Sequence, residues 1–130
     1  MIDGRTGTGA KPTILVVDDE PLVRMTTADM LRAGGFYVLE ASAGLEALDL
    51  LAARQPLAAL VTDMRMPGMN GMDLSRRVRA SHPDMPVVFV SGDAYLDPAH
   101  LPDRTHYLPK PFRPRDLIAT VSQAIGSGRE

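Results

Sequence analysis

The chain has 130 residues, enough for one domain with a hydrophobic core and too few for two. Hydrophobic residues make up 45% of it, as in ordinary globular proteins, and a formal net charge of −2 argues against nucleic-acid binding. Apolar runs are only a few residues long, so neither a membrane-spanning helix nor a secretory signal is expected. Without cysteine the chain has no disulfide or thiolate metal site, which suits a cytoplasmic location.

Short apolar runs alternate with helical patterns over residues 12–126, which we expect to form one domain between flexible ends at 1–11 and 127–130. The first predicted elements are, in order, a strand at Thr13–Val17, a helix from Pro21 to the stop at Gly34-Gly35, a strand at Phe36–Leu39, and a helix capped by Ser42 with Leu45, Leu48, Leu51 and Ala52 on its buried side. Next come a strand at Leu57–Thr62, a loop at Met64–Asn70, a helix capped by Asn70 that runs to about Ala80 with Leu74 and Val78 one turn apart, and a strand at Pro86–Val90.

The segment Asp93–Asp103 contains two prolines, so a fourth helix there must be short or irregular. The last predicted elements are a fifth strand at His106–Leu108 and a helix that Pro114 opens and Gly126 closes, with Leu117, Ile118, Val121 and Ile125 in one stripe. Five strands alternating with helices predict a doubly wound α/β fold with a parallel sheet, because parallel neighbours need crossover helices.

Polar residues follow the predicted strands. Asp18 and Asp19 follow the first strand, Asp63 the third, Ser91 the fourth and Lys110 the fifth. In the flavodoxin-like strand order 2-1-3-4-5, strands one and three flank the point where ligands bind outside the carboxyl ends of the strands. One strand-end acid more often caps the next helix, but four strand ends with complementary chemistry predict a shared crevice.

The chemistry of that crevice points to a hard cation and a phosphoryl group. Clustered carboxylates repel each other unless a cation lies among them. Oxygen ligands without cysteine favour Mg²⁺ or Mn²⁺ over zinc. Carboxylates, such an ion, a lysine and a hydroxyl together suit phosphoryl transfer, with an aspartate as the nucleophile.

The segment Asp63-Met-Arg-Met-Pro-Gly-Met-Asn-Gly71 resembles the D-x-x-M-P-x-M-x-G segment of response-regulator receiver domains. Val16–Glu20, Ser91 and Lys110-Pro111 lie in the matching order, so the resemblance covers about residues 11–125. It implies that Asp63 accepts a phosphoryl group from the phosphohistidine of a partner histidine kinase or histidine phosphotransfer protein.

The resemblance also implies a ligand set for Mg²⁺. Asp63 and Asp19 would bind the ion directly and Asp18 through water, while the backbone carbonyl of Arg65 would supply another oxygen. Lys110 would hold a phosphoryl oxygen as a point charge, and its peptide bond to Pro111 would be cis.

A switch is implied as well. Ser91 would turn towards the phosphoryl oxygen, the ring of Tyr107 would move inward, and the altered face would bind an unidentified downstream protein. Tyr107 also fits a half-buried strand aromatic with a hydrated hydroxyl. Arg65, Asp93 and Met64 would rim the site, and we expect Arg65 and Asp93 to face each other across its mouth and to hinder the water that removes the phosphate.

Other notable side chains have structural interpretations. Met64, Met66, Met69 and Met72 are expected to pack or to lie on the loop surface rather than to bind a soft metal. His82, His100 and His106 share no spacing that suits zinc. The basic run Arg76-Arg77-Val78-Arg79 predicts a solvated helix face, or a contribution to kinase docking.

The expected function is a phosphoacceptor module of a two-component relay, monomeric or weakly dimeric, that binds neither nucleic acid nor membrane. Its expected chemistry is limited to self-catalysed phosphorylation and dephosphorylation of Asp63, and it would be a stand-alone protein or a receiver excised from a hybrid kinase or larger regulator. One alternative is a Mg²⁺-dependent phosphatase or phosphotransferase, disfavoured because the first strand carries adjacent acids rather than a spaced D-x-D. Another is a receiver-like protein that is not phosphorylated, disfavoured by the intact acids, Ser91 and Lys110.

Overall fold

The computed structural model describes residues 11–53, 56–92 and 101–128. Within these ranges the elements are, in chain order, β1 (Thr13–Val17), α1 (Pro21–Ala33), β2 (Tyr37–Ala41), α2 (Gly44–Ala52), β3 (Ala59–Asp63), α3 (Gly71–Ser81), β4 (Val87–Ser91), β5 (Thr105–Pro109) and α4 (Pro114–Gly128). The strands form one parallel sheet in the order β2-β1-β3-β4-β5. The predicted doubly wound α/β fold and its strand order are confirmed.

The sheet separates two apolar layers, because successive side chains of a strand point to opposite faces. On one face α2 and α3 pack against a buried set that includes Leu15, Val17, Leu60, Val87 and Phe89. On the other face α1 and α4 pack against a set that includes Ile14, Val16, Val61, Val88 and Val90. Burial on both faces explains why the inner strands read as continuous apolar runs rather than as alternating ones.

Strand β2 begins and ends later than predicted, at Tyr37 and Ala41. Its register with β1 runs to the pair Val17 and Ala41, so it continues past the last apolar residue of the run. Glu40 is tolerated inside the strand because β2 lies at the sheet edge, where Arg24 and Arg32 pair with its carboxylate at 3.3 and 3.2 Å.

The prediction that Ser42 caps the second helix is wrong. The helix begins at Gly44 without a side-chain cap, and the amide and hydroxyl of Ser42 instead donate to Glu46 Oε1 at 2.6 and 2.8 Å. Both bonds lower the pKa of Glu46. The bond from the Ser42 amide has the largest effect and the bond from its hydroxyl the next largest, while burial opposes them.

The predicted buried side of α2 is also partly wrong, because Leu45 and Ala52 are exposed while Ala47 and Leu51 are buried. Gly44 explains the orientation: a Cβ there would lie 2.7 Å from Met69 Sδ, so this end of the helix packs closely on the loop after β3. That contact turns Ala47, rather than Leu45, towards the sheet.

The termini of the other helices are closer to prediction. Asn70 caps α3, accepting from the amide of Asp73 at 2.8 Å, and Leu74 and Val78 are buried. Helix α4 begins at Pro114 as predicted but continues through Gly126 to Gly128, since glycine permits a helix end without requiring one.

No described helix is long and apolar enough to cross a membrane. Residues 1–10 of the predicted N-terminal tail and residues 93–100 of the proline-containing segment lie outside the described residues.

The basic run on α3 is not uniformly solvated. Arg76 and Arg77 are exposed, but the Arg79 guanidinium donates to the carbonyl oxygens of Met85 at 2.9 Å and Arg104 at 2.7 Å. It also donates to Thr105 Oγ1 at 2.9 Å. Burial and the neighbouring Arg104 lower the pKa of Arg79, and Asp103 opposes them. Arg79 therefore joins the end of α3 to the segments that lead into β4 and β5.

Candidate functional site

Strand register brings the polar strand-end residues to one level. Val17 of β1 pairs with Thr62 of β3, so the residues that follow them in the chain, Asp18 and Asp63, lie side by side. Asp63 pairs with Val90 of β4, which places Ser91 one step beyond it. Ser91 in turn pairs with Pro109 of β5, and Lys110 follows, its amide donating to the Ser91 carbonyl at 2.8 Å.

The first acidic pair differs in burial. Asp18 is 2% exposed and is fixed on two sides, because its amide donates to the Ala41 carbonyl at 3.1 Å and its Oδ1 accepts from the Glu20 amide at 2.9 Å. Asp19 is exposed at the mouth of the crevice. The pair thus offers one rigidly held carboxylate and one that meets solvent.

Asp63 is held by the loop that follows it. Its carboxylate is 12% exposed, and Oδ1 accepts from the Arg65 amide at 3.2 Å. The loop closes where the Gly71 amide donates to the Met64 carbonyl at 2.9 Å. A Cβ at Gly71 would overlap the carbonyl oxygen of Asp63, so only glycine fits this close approach. Gly68 supplies the positive φ of 77° within the same loop.

The three carboxylates form one cluster with Lys110. One ligand oxygen from each of Asp18, Asp19 and Asp63 lies within 4.8 Å of the others. Lys110 Nζ lies 3.3 Å from Asp18 Oδ2 and 3.3 Å from Asp63 Oδ2. Burial lowers the pKa of Lys110, but the attraction and hydrogen bonds of the two carboxylates outweigh it, so the net pKa is raised. The peptide bond between Lys110 and Pro111 is cis, as the family resemblance implied.

The donor set of this cluster fits a divalent hard cation. Three carboxylates and one ammonium leave two formal negative charges, which one divalent ion would neutralise. Carboxylate oxygens at one open crevice are the ligands that Mg²⁺ takes while keeping several waters. Among the described residues, no other group of three or more histidine, cysteine or acidic side chains has this arrangement.

The remaining predicted site residues surround the cluster. Ser91 is 1% exposed, and Tyr107, half-buried on β5, packs against the apolar layer beneath α2 and α3. Met64 is half-buried and Arg65 is exposed at the start of the loop after Asp63. Asp93 lies outside the described residues, so its pairing with Arg65 stays a prediction.

The methionines of the loop and of α3 pack as predicted. Met66 is buried at 8% exposure, and Met64, Met69 and Met72 pack half-buried against the same apolar layer. Neither of the described histidines, exposed His82 and half-buried His106, belongs to a group of potential metal ligands, while His100 lies outside the described residues.

One residue at this site was missed by the sequence analysis. Arg24 of α1 donates from Nη1 to the Asp18 carbonyl at 3.0 Å and from Nε to Glu40 Oε1 at 3.3 Å. The available signal was Glu40, a charged residue inside an otherwise apolar strand, which calls for a cationic partner.

An apolar hollow adjoins the cluster. It has a volume of about 320 Å³ and lies between α1 and the β5–α4 connection, with Val23, Met30, Lys110 and Phe112 in its wall. Leu22 at its edge is 78% exposed, and Met25 on the same helix is 50% exposed. Such apolar surface beside a polar crevice is typical of a protein contact.

Comparison with known proteins gives a consistent result. Residues 14–122 match the sequence model of the family described as response regulator receiver domain. The chain is 38% identical over 121 residues to a chemotaxis protein CheY homolog of Campylobacter jejuni, an alignment that covers 88% of this chain and 93% of that protein. It is 34% identical over 128 residues to the sensor kinase CckA of Brucella abortus, covering 95% of this chain but only 14% of the kinase. The solved response regulator receiver protein from Sinorhizobium medicae superposes with a TM-score of 0.83 at 34% identity, covering 91% of this chain and 97% of that one.

Proposed function

Because the chain belongs to the response regulator receiver domain family, we propose that it is a phosphoacceptor of two-component signalling, with Asp63 as the acceptor. The observation that carries this proposal is that the Asp63 carboxylate pairs with Lys110 and lies within 4.8 Å of carboxylate oxygens of the acidic pair after β1. The phosphoryl donor is a phosphohistidine on a histidine kinase or a histidine phosphotransfer protein.

In the proposed metal site, Asp19 and Asp63 would hold Mg²⁺, or Mn²⁺, directly. Asp18 would act through water, and the backbone carbonyl of Arg65 would supply a further oxygen. When bound, the ion reduces the repulsion between a carboxylate nucleophile and the phosphoryl oxygens. The residual negative charge of the cluster supports this assignment.

In the proposed transfer, a carboxylate oxygen of Asp63 forms a bond to phosphorus as the bond from phosphorus to the donor imidazole nitrogen breaks. The electron pair of the broken bond stays on that nitrogen, and a ring protonated at its other nitrogen leaves as neutral histidine. Lys110 binds a phosphoryl oxygen, and its raised pKa keeps it charged at neutral pH. Hydrolysis of the acyl phosphate by water ends the signal.

The proposed readout starts at Ser91, whose hydroxyl turns towards the phosphoryl oxygen. Register supports the role, because Ser91 lies one residue beyond the partner of Asp63 on the adjacent strand. Tyr107 follows the movement of Ser91 and alters the face that binds a downstream protein. We further propose that Arg65 and Asp93 face each other across the mouth of the site and hinder the hydrolytic water, with Met64 also at the rim.

A protein donor fits the surroundings of the cluster. Lys110 belongs both to the carboxylate cluster and to the wall of the apolar hollow. A donor helix that brings its phosphohistidine to Asp63 would therefore cover the exposed Leu22 at the edge of this hollow. The burial of this side chain would supply affinity that a small phosphodonor lacks.

Intact-mass measurement after incubation with acetyl phosphate and Mg²⁺ tests the proposal. The expected result is one added phosphate, absent without Mg²⁺ and absent from Asp63→Asn. Asp84→Asn is the matched control, because Asp84 is 81% exposed and lies outside the carboxylate cluster, so it should be modified like the wild type. Equal phosphorylation of Asp63→Asn would contradict the assignment, and steady turnover of an external phosphoester would favour a phosphatase.

A further inference from the structure

Arg24 reaches the backbone of the acidic pair from the first helix. Its Nη1 donates to the Asp18 carbonyl at 3.0 Å, and its own amide donates to the Glu20 carbonyl at 2.9 Å, so it lies one helical turn after Glu20, the residue that follows that pair. Its side chain is only 17% exposed. A charge-assisted bond shielded from water in this way orients its acceptor firmly.

The acceptor matters because the Asp18 carbonyl belongs to the peptide group that leads into Asp19. The Asp18 carboxylate has its own supports, in the Glu20 amide and Lys110. Within the described part of the chain, the exposed Asp19 carboxylate accepts no hydrogen bond. The direction in which Asp19 projects therefore depends on its backbone, and Arg24 holds the preceding peptide plane.

Glu40 keeps Arg24 in place. Its Oε1 accepts from Arg24 Nε at 3.3 Å, and its Oε2 accepts from Arg32 at 3.2 Å. Arg32 lies on the same helix and shares this carboxylate, but its other bonds go to Asp29 and to the Val38 carbonyl rather than to Asp18. Arg32 thus carries the same charge and the same partner without touching the acidic pair.

We propose that Arg24 is a positioning residue for the cation site, holding the Asp18–Asp19 peptide so that the Asp19 carboxylate stays in the cluster. The inference rests on the proposed function only in taking this cluster to be a divalent-cation site. It deepens that function because it makes cation affinity depend on Arg24, a residue that is not itself a ligand.

The charge of Arg24 and its proposed positioning role lead to opposite expectations for how its removal changes cation affinity. As a positive charge near the cluster, Arg24 repels a cation, so its removal alone would tighten cation binding. As a positioning residue it preorganises a ligand, and removal of such an outer partner weakens metal binding about 10- to 100-fold. The sign of the change in affinity therefore separates the two roles.

The experiment measures Mn²⁺ binding to the metal-stripped full chain by electron paramagnetic resonance, without any phosphodonor. Arg24→Gln should raise the dissociation constant at least about tenfold. The matched control Arg32→Gln removes the same charge and should bind as tightly as the wild type or slightly more tightly. Thermal unfolding in chelator confirms that each variant is folded.

Arg24→Lys gives a second measurement in case Arg24→Gln does not fold. It keeps the charge but lacks the planar fork that reaches both Asp18 and Glu40, so it should also bind Mn²⁺ more weakly than the wild type. Unchanged or tighter binding of Mn²⁺ by a folded Arg24 variant would overturn the positioning role of Arg24 but not the proposed cation site. Failure of the wild type to bind Mn²⁺ would overturn the proposed cation site itself.

Discussion

Lys110 illustrates how single residues set the electrostatics of the site. Its ammonium lies 3.3 Å from both Asp18 and Asp63, and these carboxylates raise its pKa despite the opposing effect of burial. A group whose pKa is higher in the folded than in the unfolded state stabilises the fold fully below the unfolded pKa. That contribution decreases as the pH rises through the folded pKa, so it is complete at neutral pH and lost only under strongly alkaline conditions.

Lys110→Met should remove this alkaline dependence. We compare the free energies of unfolding of the two proteins in urea titrations with chelator present. The value for the wild type minus the value for Lys110→Met should be constant from pH 7 to about 10 and should decrease above that pH. A difference that already changes between about pH 7 and 9, or never changes, would show that the Lys110 contact does not behave in this way.

Gly71 is a second residue whose role follows from one contact. A Cβ at this position would overlap the Asp63 carbonyl oxygen, whereas a Cβ at Gly126 in α4 would meet nothing within 4 Å. Gly71→Ala should therefore destabilise the protein by about 1–3 kcal/mol through overpacking. Gly126→Ala should be neutral or stabilise α4 by up to about 1 kcal/mol, because alanine is the better helix former. Chemical denaturation of both variants tests this, and equal effects would refute the steric account.

At the scale of elements, Arg79 connects α3 with the entries into β4 and β5. Arg79→Met keeps the aliphatic stem but leaves the carbonyls of Met85 and Arg104 without this donor. We expect a loss of about 2–3 kcal/mol in the free energy of unfolding, as for hydrogen bonds to a charged group. The neighbouring Arg77 is exposed, so Arg77→Met should change stability by less than about 0.5 kcal/mol. If Arg79→Met lost as little stability as Arg77→Met, the hydrogen bonds of Arg79 would not contribute to stability and its side chain would behave as part of a solvated helix face.

Element prediction succeeded where one local feature dominates and failed where several compete. Asp18 and Asp63 mark the ends of β1 and β3, because a charged residue breaks a buried apolar run. Helix α2 has four leucines within nine residues, so the pattern defines no unique buried side, and a contact from Met69 decides it. Ser42 has the chemistry of a cap, but Glu46 takes its hydrogen bonds instead.

At the scale of the whole molecule, the site follows from topology. Any sequence that places polar residues after β1, β3, β4 and β5 of this parallel sheet brings them together, so the carboxylate cluster and Lys110 could be predicted. The roles of Arg24 and Arg79 could not, because each depends on a segment that is distant in sequence and is positioned only by the fold. Glu40 reaches Arg24 through the register of β2 with β1, and Arg104 reaches Arg79 across 25 residues.

The central claim is that Asp63 itself carries the phosphoryl group. Borohydride reduces an acyl phosphate to the alcohol, so reduction after treatment with acetyl phosphate and Mg²⁺ converts the modified aspartate to homoserine, which peptide mass spectrometry locates. We predict homoserine at position 63 alone, and none in a sample reduced without phosphodonor. Homoserine at Asp18 or Asp19, or unmodified Asp63 in a chain whose intact mass has gained a phosphate, would contradict the account.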